Sequence, residues 1–432
     1  MAGHRAGGFA VLWDESFIWG IVAYKSLREA GIPFRLISAR DIRGGALSDY
    51  SALLVPGGWA SNKIKALGES GVIRVREFVA EGGTYIGLCG GAGLATSQGL
   101  GLLNVERVPR DRRVPSFNGR IRLVLTECAL WERIEDPVFY AWWPSQIRAG
   151  REISVLARYG EALSDAFSSD LNVGDTLAAG GWDELEKDYG INLDPGRMRD
   201  EPAVVSGRFG RGTVLLSLLH FDMPGDPNGL TVLRNLWRLY GEENRLEGNK
   251  GGSASSSQAR RPALVAVRPS LRRLMKDISE AVDGLIDQGI RNFLWFWRNP
   301  FMLQWKRGVR GLEYCTIKVL ADEIERAILY GSEQFAKIGS PAPGSMERAA
   351  AQAEARLSRI REALLAFVED ARLLLVLEAQ AMRRERLTFE AASDPRIRAM
   401  RGSLFSTSKS HGGRFKELID SMDELLYSLL AR

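Results

Sequence analysis

The sequence predicts an α/β domain on a mostly parallel sheet, followed by a separate all-α region. Short apolar runs alternate with helical patterns over the first part of the chain, as in a strand–helix–strand fold. EGNKGGSASSSQARRP (247–262) is rich in Gly and Ser and closes on a proline, the composition of a flexible linker. Beyond it, apolar residues recur at spacings of three and four. The boundaries are therefore an α/β domain at 1–245, a linker at 246–262 and a helical domain at 263–432.

In chain order, FAVLW (9–13) reads as a first buried strand, and FIWGIVAYKSLREAG as a helix closed by Gly31. PFRLIS (33–38) and ALLVPGG (52–58) read as the next two strands. GVIRVREFVAEGG (71–83) is a helix with Ile73, Phe78 and Val79 inward, and TYIGLC is a fourth strand. RIRLVLTE, AVVSGRF and GTVLLSLLHF are later strands, the last two a hairpin about Gly210 and Gly212, and LTVLRNLWRLYG is a closing helix. In the helical domain four stripes stand out: Leu271 to Leu285, Ile317 to Ala327, Leu357 to Leu374 and Phe415 to Leu429. They predict amphipathic helices in a bundle or a coiled hairpin.

Composition excludes several classes. The chain has 432 residues, 45% hydrophobic and 26% charged, enough to bury a sizeable core. Three cysteines without a CxxC pair and three scattered histidines indicate neither a disulfide framework nor a metal site, so no metal or cofactor is expected. The net charge is +5, and no dense basic stripe accompanies it, so no nucleic-acid partner is expected. A short apolar run before Asp14 and Glu15 is too little for a signal segment, and no 18-residue apolar run occurs, so the expected compartment is the cytoplasm.

The chemistry centres on GGTYIGLCGGAGLA (82–95). Cys89 stands among glycines where a strand gives way to a helix, which suits either a nucleophile on a strained turn or a small packed thiol. As a nucleophile at a helix N-terminus it would be favoured as thiolate. His220, at the end of an apolar strand, is the candidate base, and Asp222 either orients it or forms a turn before Pro224. Backbone N–H groups of Gly90 and of the PGGW turn at Gly57 and Gly58 are candidate oxyanion donors. Asp14 and Glu15 are candidate accessory acids or plain loop acids. Cys128 and Cys315 read as packing residues, and GRFGRG (207–212) as a hairpin turn.

The set LLVPGGW, FVAEGGTYIGLCGGAG and GRGTVLLSLLHFD resembles the class I glutamine amidotransferase-like superfamily, and within it the biotin-protein ligase N-terminal domain family, over residues 8–242. The resemblance implies a flavodoxin-like sheet with a nucleophile elbow, Cys89 as nucleophile, His220 as base and the Gly57–Gly58 turn in the oxyanion hole. His220-Phe221-Asp222 replaces the His-x-Glu of many members. The resemblance implies no biotin transfer, because no ligase catalytic domain follows.

Two functions from different classes follow. One is a cysteine-nucleophile amide hydrolase or acyl or amido transferase acting on a small molecule or peptide. The other is a binding or regulatory module with an amidotransferase-like pocket. In either case the helical domain is expected to engage a protein partner or a second copy of the chain. RNFLWFWRNPFMLQWKR (291–307) interleaves aromatics with cations, suiting core packing or a peripheral membrane contact.

Overall fold

Strand β1 (Phe9–Leu12) is buried along its whole length, because a parallel strand covered on both faces carries apolar side chains on each. The computed structural model describes residues 7–241, 269–329 and 343–431 except 386, 389, 390, 408 and 409, and the linker read at 246–262 lies outside the described residues. The chain divides into two units, Met1–Gly252 and Ser253–Arg432.

In the first unit β1 is followed by α1 (Ile18–Glu29), β2 (Phe34–Ile37), α2 (Ala39–Arg43) and β3 (Ala52–Val55). Then come α3 (Ala60–Ala80), β4 (Thr84–Leu88) and α4 (Gly90–Leu94). Gly31 just after α1 has φ +73°, the left-handed conformation that ends a helix at little cost to glycine. Helix α3 starts earlier than its periodicity suggests and kinks at Gly68 (φ 61°, ψ 179°). Its inward face is Leu67, Gly71, Val75, Phe78 and Val79, whereas Ile73 is 48% exposed, contrary to the sequence expectation. Ile73 is two residues from Gly71, about 200° around the helix.

The chain continues through β5 (Val105–Arg107), β6 (Phe117–Leu125), β7 (Val138–Trp142), β8 (Ile147–Ala149) and β9 (Ser154–Ala162). It then passes β10 (Phe167–Ser168), β11 (Leu171–Asn172), α5 (Val173–Ala178) and α6 (Asp183–Tyr189). The unit closes with β12 (Pro202–Phe209), β13 (Gly212–Ser217) and α7 (Pro227–Tyr240). Among the described residues the main sheet has eleven strands in the order β11-β10-β6-β9-β12-β13-β4-β3-β1-β2, with β7 also on β6. From β13 to β2 all pairings are parallel, and from β12 outward they are antiparallel. Parallel pairing of β13 with β4, Ser217 opposite Leu88, brings the segments after both strands to one edge of the sheet. The hairpin at Gly210 is present, with φ +59° at that glycine.

The second unit contains α8 (Pro269–Arg291), β14 (Trp295–Asn299), β15 (Met302–Trp305) and α9 (Gly311–Leu329). It ends with α10 (Pro343–Ala381), α11 (Pro395–Phe405) and α12 (Gly413–Leu430). Each of the four apolar stripes lies on a helix, and Leu285, Leu320, Leu364 and Leu425 are buried. Within 291–307, β14 and β15 form a β-hairpin. Trp295 packs 5.2 Å from Tyr314, while Phe293 and Phe296 are 83% and 51% exposed. Arg401 ties three segments together: Nε donates to Glu378 Oε1 (2.8 Å), Nη2 to Gly308 O (2.7 Å) and Nη1 to Thr388 O (2.5 Å). No helix among the described residues is long and apolar enough to cross a membrane.

Two glycines of α4 separate close packing from helix propensity. A Cβ at Gly91 would lie 2.0 Å from the Val55 carbonyl oxygen, whereas at Gly93 the nearest atom is 3.9 Å away. Gly91→Ala is expected to lower unfolding free energy by about 3 kcal/mol, and Gly93→Ala to leave it unchanged or raise it by up to about 1 kcal/mol, in urea denaturation. Equal effects of the two would refute the close approach.

Candidate active site

Cys89 is the residue between β4 and α4, at φ 50° and ψ −105°. A non-glycine residue rarely adopts this conformation, and here neighbouring strands impose it. Its N–H donates to Ser217 O at the end of β13 (2.8 Å). Tyr85 Oη donates to Gly91 O (2.7 Å) beneath the turn. The half-buried thiol lies 3.7 Å from Trp142 O.

The PGG turn presses directly against this elbow. A Cβ at Gly90 would sit 1.7 Å from Gly58 O and 2.8 Å from Gly58 N. Gly58 itself has φ +111°, and a Cβ there would come 2.3 Å from Glu15 O. Gly57 is packed as tightly, with Trp19 Cγ 2.8 Å from where its Cβ would be. Side chains are thus excluded and backbone amides take their place. Among the described residues no backbone hydrogen bond engages the Gly58 N–H, and Gly90, the first residue of α4, has no helical acceptor.

His220 follows β13 and is pinned by its N–H donating to Tyr140 O (2.9 Å), which forms an isolated antiparallel bridge. Its ring is fixed on two sides. Nδ1–H donates to Asp222 Oδ1 (2.9 Å), and Trp19 stacks on one face at 4.4 Å and 28°. A carboxylate only accepts, so Nδ1 carries the proton, and Nε2 is buried without a hydrogen-bond partner. Asp222 is held through its carbonyl, which accepts from Ser26 Oγ (2.6 Å). His220 and Asp222 are both 0% exposed.

The electrostatics set a charge pair against burial. Desolvation pushes the imidazole pKa down, but the nearby Cys89 sulfur and the Asp222 carboxylate outweigh it and raise it from 6.5 to about 10. Cys89, His220, Asp222, Gly58 and Gly90 therefore gather at one edge of the sheet.

Asp14 and Glu15 lie in the β1–α1 connection, and their carboxylates are engaged elsewhere. Asp14 Oδ2 accepts from Ala39 N (2.7 Å), and Glu15 Oε2 from Asn62 Nδ2 (3.2 Å). Burial pushes the Asp14 carboxyl up. The loop is braced by the buried Lys63, whose Nζ donates to Asp14 O (3.1 Å) and Ser16 Oγ (2.5 Å). Cys315 is buried, donates to Phe301 O (3.0 Å) and is pushed up to about 12 by burial; Cys128 is half-buried. Among the described residues no group of three His, Cys, Asp or Glu is placed to hold a metal.

Sequence reasoning passed over the aromatic wall of the site. Trp19 lies edge-on to Trp143 (6.4 Å), and Trp142 packs against both Trp143 and Tyr140. Trp143 has φ 50°, a second strained residue beside the thiol. The adjacent tryptophans of AWWP were the available signal, but nothing in their local pattern links them to residue 89.

The folded chain favours protonated His220. Its contribution to stability is complete below about pH 6.5 and is lost as the pH rises through about 10. Cys89→Ala and Asp222→Asn are each expected to lower the imidazole midpoint by at least about one pH unit in an NMR titration of the folded chain. A midpoint that stays put in both variants would contradict the charge pairing.

Among solved structures, a candidate GMP synthase component from Thermoplasma acidophilum aligns at 12% identity, covering 56% of this chain and 97% of that one, with a TM-score of 0.37. A β-galactosidase from Bacillus circulans aligns at 16% identity over 55% of this chain and 31% of that one, TM-score 0.34. A cytoplasmic protein from Salmonella typhimurium aligns at 11% identity over 54% and 98%, TM-score 0.35. No curated protein matches. A family profile described as "Biotin-protein ligase, N terminal" matches residues 37–100, from the last residue of β2 past α4. Over that stretch, which holds Gly57, Gly58, Cys89 and Gly90 but neither His220 nor Asp222, the chain is similar to the biotin-protein ligase N-terminal family.

Proposed function

We propose that the first unit is a cysteine-nucleophile amide hydrolase or acyl transferase acting on a small molecule or peptide. The observation that carries this reading is the buried His220–Asp222 pair beside a thiol held on a strained turn, with glycine amides packed against it. A packed structural thiol needs no oriented imidazole.

In the proposed reaction Cys89 Sγ, as thiolate, attacks the substrate carbonyl and forms a C–S bond. The carbonyl oxygen becomes an oxyanion that accepts hydrogen bonds from the Gly58 and Gly90 N–H groups. As the tetrahedral intermediate collapses, the C–N bond breaks and His220 gives its Nε2 proton to the departing amine. The thioester is then cleaved by water or a second nucleophile, whose proton returns to Nε2 while the thiolate leaves. Asp222 stays ionised and holds the imidazole by Nδ1. Trp19 and Trp143 wall the site and limit water around the charge pair.

Iodoacetamide reads this arrangement without a known substrate. Alkylation of Cys89 near pH 7 is expected to be fast in the wild type, slower by about 100-fold in His220→Ala and by less in Asp222→Asn. Peptide mapping assigns the label to Cys89 against Cys128 and Cys315. A wild-type rate no greater than that of the urea-unfolded chain would sink the catalytic reading.

A further inference from the structure

In the second unit, the β14–β15 hairpin is seated on the helices by two tryptophans and leaves other aromatics outside. Trp295 lies on α8 and Trp305 on α9, each against a glycine: a Cβ at Gly289 would come 2.0 Å from Trp295 Cε2, and one at Gly311 2.3 Å from Trp305 Cδ2. Trp295 Nε1 also donates to Ile286 O (3.0 Å). Successive residues of a strand point to opposite faces, so Phe296 turns away from this contact and is 51% exposed.

The turn from α8 into the hairpin carries a second outward ring. Leu294 N donates to Gly289 O (2.9 Å) and Phe293 N to Ile290 O (3.0 Å), the paired bonds of a Schellman motif that closes α8. Leu294 is buried, as the apolar residue of such a motif should be, and the left-handed position before it ordinarily belongs to glycine. Here that position holds Phe293, at φ 56° and 83% exposed. A left-handed conformation is costly for a bulky side chain, and an exposed ring offsets none of that strain by packing. The fold itself gives no reason for the ring.

Basic residues accompany these two phenylalanines. Residues 288–312 hold Arg291, Arg298, Lys306, Arg307 and Arg310 and no carboxylate, the nearest in sequence being Asp287 and Glu313. Glu313 is paired with Arg310 (3.0 Å). Arg291 and Lys306 are exposed, and among the described residues neither forms an ion pair. Lys306 N donates to Leu294 O (2.8 Å), which sets Lys306 beside the residue after Phe293. Ile290, whose carbonyl accepts from Phe293 N, is 38% exposed and adds an aliphatic side chain to the same corner.

We infer that this corner of the helical unit is a peripheral docking surface for an anionic phospholipid membrane, with Phe293 and Phe296 entering the headgroup region and Arg291 and Lys306 meeting lipid phosphates. Outward apolar rings flanked by cations, without intervening acids, complement a surface that is negative outside and apolar within. Ile290 favours lipid over single-stranded nucleic acid as the occupant, because an aliphatic side chain gains from acyl chains and offers a base no face to stack on. The surface lies in the second unit and needs nothing from Cys89.

Flotation of the full chain with vesicles tests this. The wild type is expected to float with vesicles of mixed phosphatidylcholine and phosphatidylglycerol, not with phosphatidylcholine alone, and to be released by salt. Phe293→Gly separates a lipid contact from a structural role, because glycine suits the left-handed position. Its thermal unfolding is expected at the same or a higher temperature, while its partition onto anionic vesicles falls about tenfold. Arg291→Gln combined with Lys306→Gln is expected to lower partition by about 30-fold with unfolding unchanged. A wild type that stays with the unbound fraction on anionic vesicles overturns the membrane surface, and so does equal flotation of the wild type and both variants. Self-association that rises with protein concentration and is lost in Phe293→Gly, without vesicle binding, would assign the corner to a second copy of the chain and reject lipid. Binding of single-stranded RNA in preference to anionic vesicles would reject it too.

Discussion

The first unit depends on the contact between two backbone turns, one after β3 and the other after β4. Gly90 lies against the Gly58 carbonyl so closely that a Cβ would be 1.7 Å from its oxygen, and Gly91 lies against Val55 in the same way. That contact holds Cys89 in a conformation its side chain disfavours, and the hydrogen bond from Cys89 N to Ser217 O fixes it from the other flank. The β1–α1 connection closes the third side. Phe17, at the N-terminus of α1, has φ 46° and ψ −122°, much like Cys89, and Glu15 O packs on Gly58. Strain of this kind persists only where surrounding elements over-determine the backbone. Here neighbouring strand ends do so.

Burial of the histidine is the second constraint, and its consequences are opposed. A dry, aromatic setting disfavours imidazolium, yet it also strengthens attraction to Asp222 and to the sulfur. The balance favours charge, and the ring has little freedom to leave because Trp19 covers a face and Asp222 holds Nδ1. Stability and site geometry are therefore coupled at this edge: groups that hold the strand ends together also fix the imidazole near the thiol.

In the helical unit packing is mostly apolar, with a polar clasp. Arg401 links α10, the end of the hairpin and the segment before α11, while Glu378, buried and paired with it, is pushed up to about 7 by desolvation against the arginine's opposing charge. The hairpin at 295–305 was unreadable as such from the sequence. Its strands are short, and its aromatics fall on both faces, so no alternation marks it. Trp295 is buried against Tyr314, whereas Phe296, one residue on, faces outward.

Local pattern was enough for the strands β1 to β4, the β12–β13 hairpin and the four long helices, because burial on one or two faces imposes apolar periodicities on neighbours in sequence. The same holds for the elbow, since a strained turn demands glycine next to Cys89 and in the PGG turn. It found β6 but not β7 to β11, whose pairings join residues far apart in the chain, and it set Ile73 inward although helical geometry puts it about 200° around from the buried Gly71. Amino-acid order alone determined that a cysteine, a histidine and two glycine turns would end apolar strands. Only the tertiary structure decided that Asp222 bonds the imidazole, that Asp14 and Glu15 are occupied elsewhere, and that Trp19 lies against both His220 and Trp143. Those relations join residues far apart in the chain, or are set by side-chain direction, and sequence spacing carries no trace of either.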